Sequence, residues 1–134
     1  MLTIKVEENY TQYAEALGVI VPENATVMTM TDKEEFMGMG VMRLFGDYAI
    51  LDGIYMKEDY EDFSLMYGMG KSLLNVIDLR GILHVASDNA DMDKLLASLK
   101  FCKPSDAENT EELPEKVKNC KMYLNLKGYF IANC

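Results

Sequence analysis

Residues 25–56 carry three alternating runs separated by only two short polar turns, and this spacing leaves the chain few ways to fold. "ATVMTMTD" (Ala25–Asp32) places Met28 and Met30 on one side and Thr29 and Thr31 on the other. A polar turn over Asp32–Glu35 leads into "FMGMGVMRLF" (Phe36–Phe45), whose glycines Gly38 and Gly40 share a face. The turn dipeptide Gly46–Asp47 then opens "YAILDGIYM" (Tyr48–Met56). Strands joined by turns this short must return beside one another, so the segment predicts an antiparallel meander.

The flanking segments add helices and a change of strand direction. "TIKVE" (Thr3–Glu7) alternates as a short strand, and "ENYTQYAEALG" has Tyr10, Tyr13, Ala14 and Leu17 at helical spacing, with Gly18 as a stop. After Met56, an acidic connection reaches the glycines Gly68 and Gly70, and an apolar helical run continues to about Arg80–Gly81. "ILHVA" (Ile82–Ala86) reads as a compact strand, "SDNADMDKLLASLKF" as a capped helix ending near Leu99, and residues 103–118 as a charged loop with Pro104 and Pro114. "KMYLNLKGYF" closes as an alternating strand, able either to complete the sheet or to pair across a homodimer. Strand, glycine turn, helix and strand make a βαβ unit, which predicts that Tyr48–Met56 and Ile82–Ala86 run parallel. The expected fold class is α/β, with a mixed sheet in which an antiparallel meander precedes a βαβ unit with a central glycine turn. The 134 residues show no internal repeat and predict a single domain over 1–134.

"YGMGKSLL" (Tyr67–Leu74) is the segment with most chemical content. A glycine turn at a helix start aims free N–H groups and the positive end of the helix dipole at one spot, a geometry suited to an anion. A Walker A loop would need glycine where Leu65 stands, and a dinucleotide fingerprint would need it at Leu73, so both are excluded. A glycine turn that only starts a helix is the other open reading.

Charge and composition exclude further classes. Thirteen basic residues against twenty-two acidic give a net charge of −9, which opposes nucleic-acid binding and favours cationic partners. No apolar run reaches the roughly 18–20 residues of a membrane span, and the first residues lack a secretion signal, so a cytoplasmic protein with no membrane partner is expected. Cys102, Cys120 and Cys134 are widely spaced beside the one histidine, His84, and predict free thiols rather than a metal site; Cys134 is expected to be exposed. Asn89, Asp91 and Asp93 begin like a calcium loop, but Lys94 and Lys100 stand where it needs Gly and Glu. Eleven methionines suggest an adaptable core.

In this order of elements, the chain resembles the GNAT acetyltransferase superfamily, most specifically over about Tyr48–Phe101. Gly68-Met69-Gly70 matches the two glycines of the family's Arg/Gln-x-x-Gly-x-Gly/Ala signature, with Leu65 in place of the leading polar residue. Asn89 after the next strand matches too, as do Leu99 and Phe101 of the helix end, with Lys100 replacing a glycine. The resemblance implies acetyl-CoA as co-substrate, no metal, and a primary amine as acceptor, with a non-catalytic GNAT-fold protein as the alternative. It places the diphosphate at Gly68, Met69, Gly70, Lys71 and Ser72, and the pantetheine arm beside Tyr55 and Met56, with Asn89 either touching the cofactor or capping its helix. The family's general-acid tyrosine position is Leu96 here, which leaves Tyr123 as a substitute acid. Asp52 interrupts an apolar strand and is the candidate base, although a polar residue beside a bulge at Gly53 explains it equally.

Overall fold

The computed structural model describes residues 1–130; the expectation for Cys134 lies outside them. Six strands form one sheet in sequential order: β1 (Leu2–Val6), β2 (Ala25–Asp32), β3 (Glu35–Leu44), β4 (Tyr48–Met56), β5 (His84–Ser87) and β6 (Met122–Asn125). Every neighbouring pair is antiparallel except β4 and β5. The meander and the parallel βαβ step are therefore as the sequence predicts. Helix α1 (Thr11–Leu17) ends at Gly18, whose left-handed φ of 67° lets its N–H reach the carbonyls of Ala14 and Glu15. Helices α2 (Phe63–Leu79), α3 (Asp93–Ser98) and α4 (Glu115–Lys118) complete the layers.

Strand alternation sorts the apolar residues onto two faces. Met28, Met30, Met42, Leu51 and Ile54 meet Met69, Leu73 and Ile77 of α2 and Leu96 of α3 in the main core. The opposite face is split between two smaller clusters. Val27, Met39 and Val41 pack on Ala14 of α1, while Ile50, Ala86 and Tyr123 pack on Val117 of α4. Gly40 lets α2 approach the sheet closely, since a Cβ there would lie 2.8 Å from Leu73 Cδ1.

Three local expectations are corrected. Helix α2 begins at Phe63, so Gly68 and Gly70 lie inside it rather than in a turn before it. The closing strand spans only Met122–Asn125; a turn follows, with Tyr129 N–H donating to the Leu126 carbonyl. Residues 103–118 are not plain loop, for they contain short 3-10 helices at Pro104–Asp106 and Thr110–Glu112 as well as α4. Proline at the first position of the former and before α4 favours these turns.

Candidate functional site

The sheet opens where β4 outruns β5. Their ladder has three pairs, Tyr48 with His84, Ala49 with Val85 and Ile50 with Ala86; β5 then ends at Ser87 while β4 continues to Met56. On its other side, β4 pairs Gly53 with Val41 and Leu51 with Met42, which makes Asp52 the extra residue of a β-bulge. The Leu51 carbonyl accepts a hydrogen bond from Ser87 Oγ at 2.8 Å, and the Asp52 carbonyl accepts one from Asn89 Nδ2 at 3.0 Å. A concavity of about 440 Å3 lies along the far half of β4, lined by Ile54, Tyr55 and Met56, by Leu17 of α1, and by Glu61 and Met66. Leu17 belongs to one face of the sheet and Met66 to the other, so the opening is lined from both layers. The Tyr55 ring folds back over Gly53, and burial, followed by the charges of Asp52 and Asp91, raises its pKa.

The anion geometry expected at Gly68–Ser72 is altered by the early start of α2. Six and eight residues into the helix, Gly68 and Gly70 have backbone N–H groups that belong to the helical ladder. Gly70 serves packing, because a Cβ there would lie 2.8 Å from Leu99 Cδ1; Gly68 faces open space. Met69 is fully buried in the main core. Ser72 Oγ donates to the Gly68 carbonyl at 3.0 Å. The Lys71 ammonium lies 4.6 Å from the Tyr129 ring centre and 5.4 Å from that of Phe130. The free N–H groups of α2 are those of its first turn, and Asp62 caps them, accepting from Ser64 N–H at 2.7 Å. Glu58, Asp59 and Glu61 precede this cap, so a diphosphate meets negative charge at the helix start. The β5 side of β4 is thus open past Ile50, whereas the backbone N–H groups at 68–72 are engaged within α2 rather than free to receive an anion.

Asp52 and Tyr123 are not brought together. Both Asp52 carboxylate oxygens accept from Arg43: Nε lies 2.9 Å from Oδ2, and Nη2 lies 2.9 Å from Oδ1. This bidentate bond, more than the countering burial, raises the Arg43 pKa. Tyr123 is 1% exposed under α4, and its hydroxyl pairs with His84 Nδ1 at 2.8 Å. Burial raises its pKa as well. Of its two expected roles, Asn89 shows the cap: Oδ1 accepts from Asp91 N–H, while Nδ2 donates to the Asp52 carbonyl of β4. Beside the Arg43–Asp52 pair, on the α4 face, a second concavity of about 440 Å3 is walled by Phe45 and Tyr48 and rimmed by Asp88 and Glu115.

Sequence reasoning missed Arg43, Ser87 and Asp62 in these roles. Asp62 did leave a signal, as an Asp directly before an apolar run, whereas Arg43 and Ser87 acquire partners only through strand register.

No family model matches the sequence, and no curated protein matches it. Solved structures do match in fold. The ribosomal-protein-S18-alanine N-acetyltransferase of Escherichia coli is 20% identical, with a TM-score of 0.63 over 77% of this chain and 79% of that one. A Bacillus subtilis acetyltransferase in complex with CoA is 14% identical, with a TM-score of 0.69 over 94% and 99%. The N-acetylglutamate synthase of Neisseria gonorrhoeae, complexed with coenzyme A and N-acetyl-glutamate, is 9% identical, with a TM-score of 0.63 over 92% of this chain; this chain spans only 34% of its length. The fold is that of the GNAT acetyltransferases. Among the described residues, no helix is long and apolar enough to cross a membrane.

Proposed function

We propose that this GNAT-fold chain, acting as a single domain, is an N-acetyltransferase that moves an acetyl group from acetyl-CoA to a primary amine. The observation that carries the reading is the length of β4 past Ile50 that β5 does not pair, with a concavity along Ile54–Met56 lined from both faces of the sheet. Bound there, acetyl-CoA supplies an acyl thioester. The unpaired stretch of β4 can bond the amides of the pantetheine arm as an added strand would, with Tyr55 and Met56 lining its path. Gly68, facing open space, leaves room for the nucleotide end beside Lys71 and Ser72. Asp52, at the bulge, takes a proton from the bound ammonium, directly or through water; the free amine then attacks the thioester carbonyl, and the CoA thiolate that leaves is protonated from solvent. The net charge of −9 favours a cationic acceptor.

A second reading is a GNAT-fold protein that binds acyl-CoA, or a protein partner, without acetyl transfer. Two observations favour it: Asp62 caps the helix start, and Arg43 engages both oxygens of Asp52. Calorimetric titration with acetyl-CoA, followed by an amine screen for released thiol, separates the two. Binding with turnover that Asp52→Asn abolishes supports the transferase; binding without turnover supports the second reading. No binding at millimolar acetyl-CoA overturns the transferase.

A further inference from the structure

We infer that Ser87 and Asn89 are positioning residues that hold the β4–β5 opening apart. The inference rests on the acyl-thioester reading of that opening, and its ground is where the β4 carbonyls go once the ladder stops. Past Ile50 and Ala86, no residue of β5 pairs with β4 through its backbone. The next two carbonyls, Leu51 and Asp52, are taken instead by the side chains of Ser87 and Asn89, at 2.8 and 3.0 Å. Paired strands lie about 4.7–4.9 Å apart, and a side chain placed between carbonyl and neighbouring backbone forces a wider gap. The two carbonyls flank the bulge, so the clamp grips β4 where its direction changes.

The clamp is itself braced. Asn89 N–H donates to Ser87 Oγ at 3.3 Å, and Asn89 Oδ1 accepts from Asp91 N–H at 3.0 Å, which caps a 3-10 helix at Ala90–Met92. Ser87 is completely buried, so its hydroxyl has no water to turn to. One amide therefore orients the loop with its oxygen and the bulge with its nitrogen. Released from that nitrogen, the bulged stretch loses the geometry that presents the edge of Gly53–Met56 to an extended ligand.

Asn89→Asp tests the clamp apart from the cap, because a carboxylate still accepts from Asp91 N–H but gives nothing to the Asp52 carbonyl. Amide hydrogen exchange is read in the free protein, and the KM for acetyl-CoA and for the acceptor in turnover. The expected result is exchange about tenfold faster across Leu51–Met56, with β2 unchanged, and a KM for acetyl-CoA raised about tenfold while that for the amine holds. Ser87→Ala should move the same quantities the same way. A variant that only lowers the melting temperature, with β4 exchange and acetyl-CoA KM unmoved, overturns the inference. If the natural protein binds no acetyl-CoA, the transferase reading fails by itself, and β4 exchange alone then decides for or against the clamp.

Discussion

Arg43 and Asp52 are joined across a β-bulge, the guanidinium of β3 donating to both carboxylate oxygens of the extra residue in β4. The side chains are 34% and 18% exposed, so water screens the pair only in part. Asp52→Ala strands a half-buried guanidinium and should cost about 1–2 kcal/mol of stability, below the range for fully buried pairs. Asp52→Asn keeps one acceptor and should cost less, yet as the base its loss should lower kcat by about 10²–10³. Urea melts beside turnover numbers check this; a kcat that follows stability alone would remove Asp52 from the chemistry.

The two glycines of α2 should respond to alanine with opposite sign. Nothing lies within 4 Å of a Cβ at Gly68, so Gly68→Ala should stabilise the helix by about 0.5–1 kcal/mol. At Gly70, the added carbon would sit 2.8 Å from Leu99 Cδ1 in a fully buried contact. Gly70→Ala should therefore lose a net ~1–2 kcal/mol after the helix gain is counted. Thermal melts of both variants decide it.

What could be read from sequence follows from how local each signal is. Tyr48–Met56 was bounded correctly because alternation and the Gly46–Asp47 turn act within a few residues. The start of α2 was placed after Gly70, eight residues late, because Gly68 and Gly70 resemble turn residues; here, Gly70 is required by the end of a helix, α3, that lies some thirty residues on. The Arg43–Asp52 pair depends on a bulge that shifts register by one, and no spacing rule supplies that. Asn89 was legible as a cap, while its hold on the Asp52 carbonyl, 37 residues away, was not.

Asp62 caps α2 and places a negative charge at the helix start, where it would repel an approaching diphosphate. Asp62→Ala removes the acceptor for Ser64 N–H and should cost about 1 kcal/mol. Asp62→Ser keeps the cap and removes the charge, so stability should hold. If the nucleotide end of acetyl-CoA approaches this helix start, Asp62→Ser should tighten binding about two- to fivefold at low salt, with less gain at high salt. Calorimetry at two ionic strengths reads both; unchanged affinity would place the phosphates away from α2.

Cys120 makes stability depend on alkaline pH. Its thiol lies beneath α4, where burial first, and then Asp88, push its pKa up to about 11. The folded state therefore keeps a proton that the unfolded chain gives up near pH 8.5–9. The stability tied to this thiol is fully present below that range and is lost as pH rises towards 11. Tyr55, Tyr123 and Tyr129, also raised by burial, add in the same direction above about pH 10. Urea midpoints should fall between pH 9 and 11, and Cys120→Ala should flatten the first part of that slope. In the native protein at pH 8, the thiolate fraction is about 10⁻³, so alkylation of Cys120 should run more than about a hundredfold slower than that of an ordinary thiol. Site-resolved mass spectrometry measures the rate, which should rise tenfold per pH unit; rapid labelling at pH 8 would mean that α4 opens readily from the sheet.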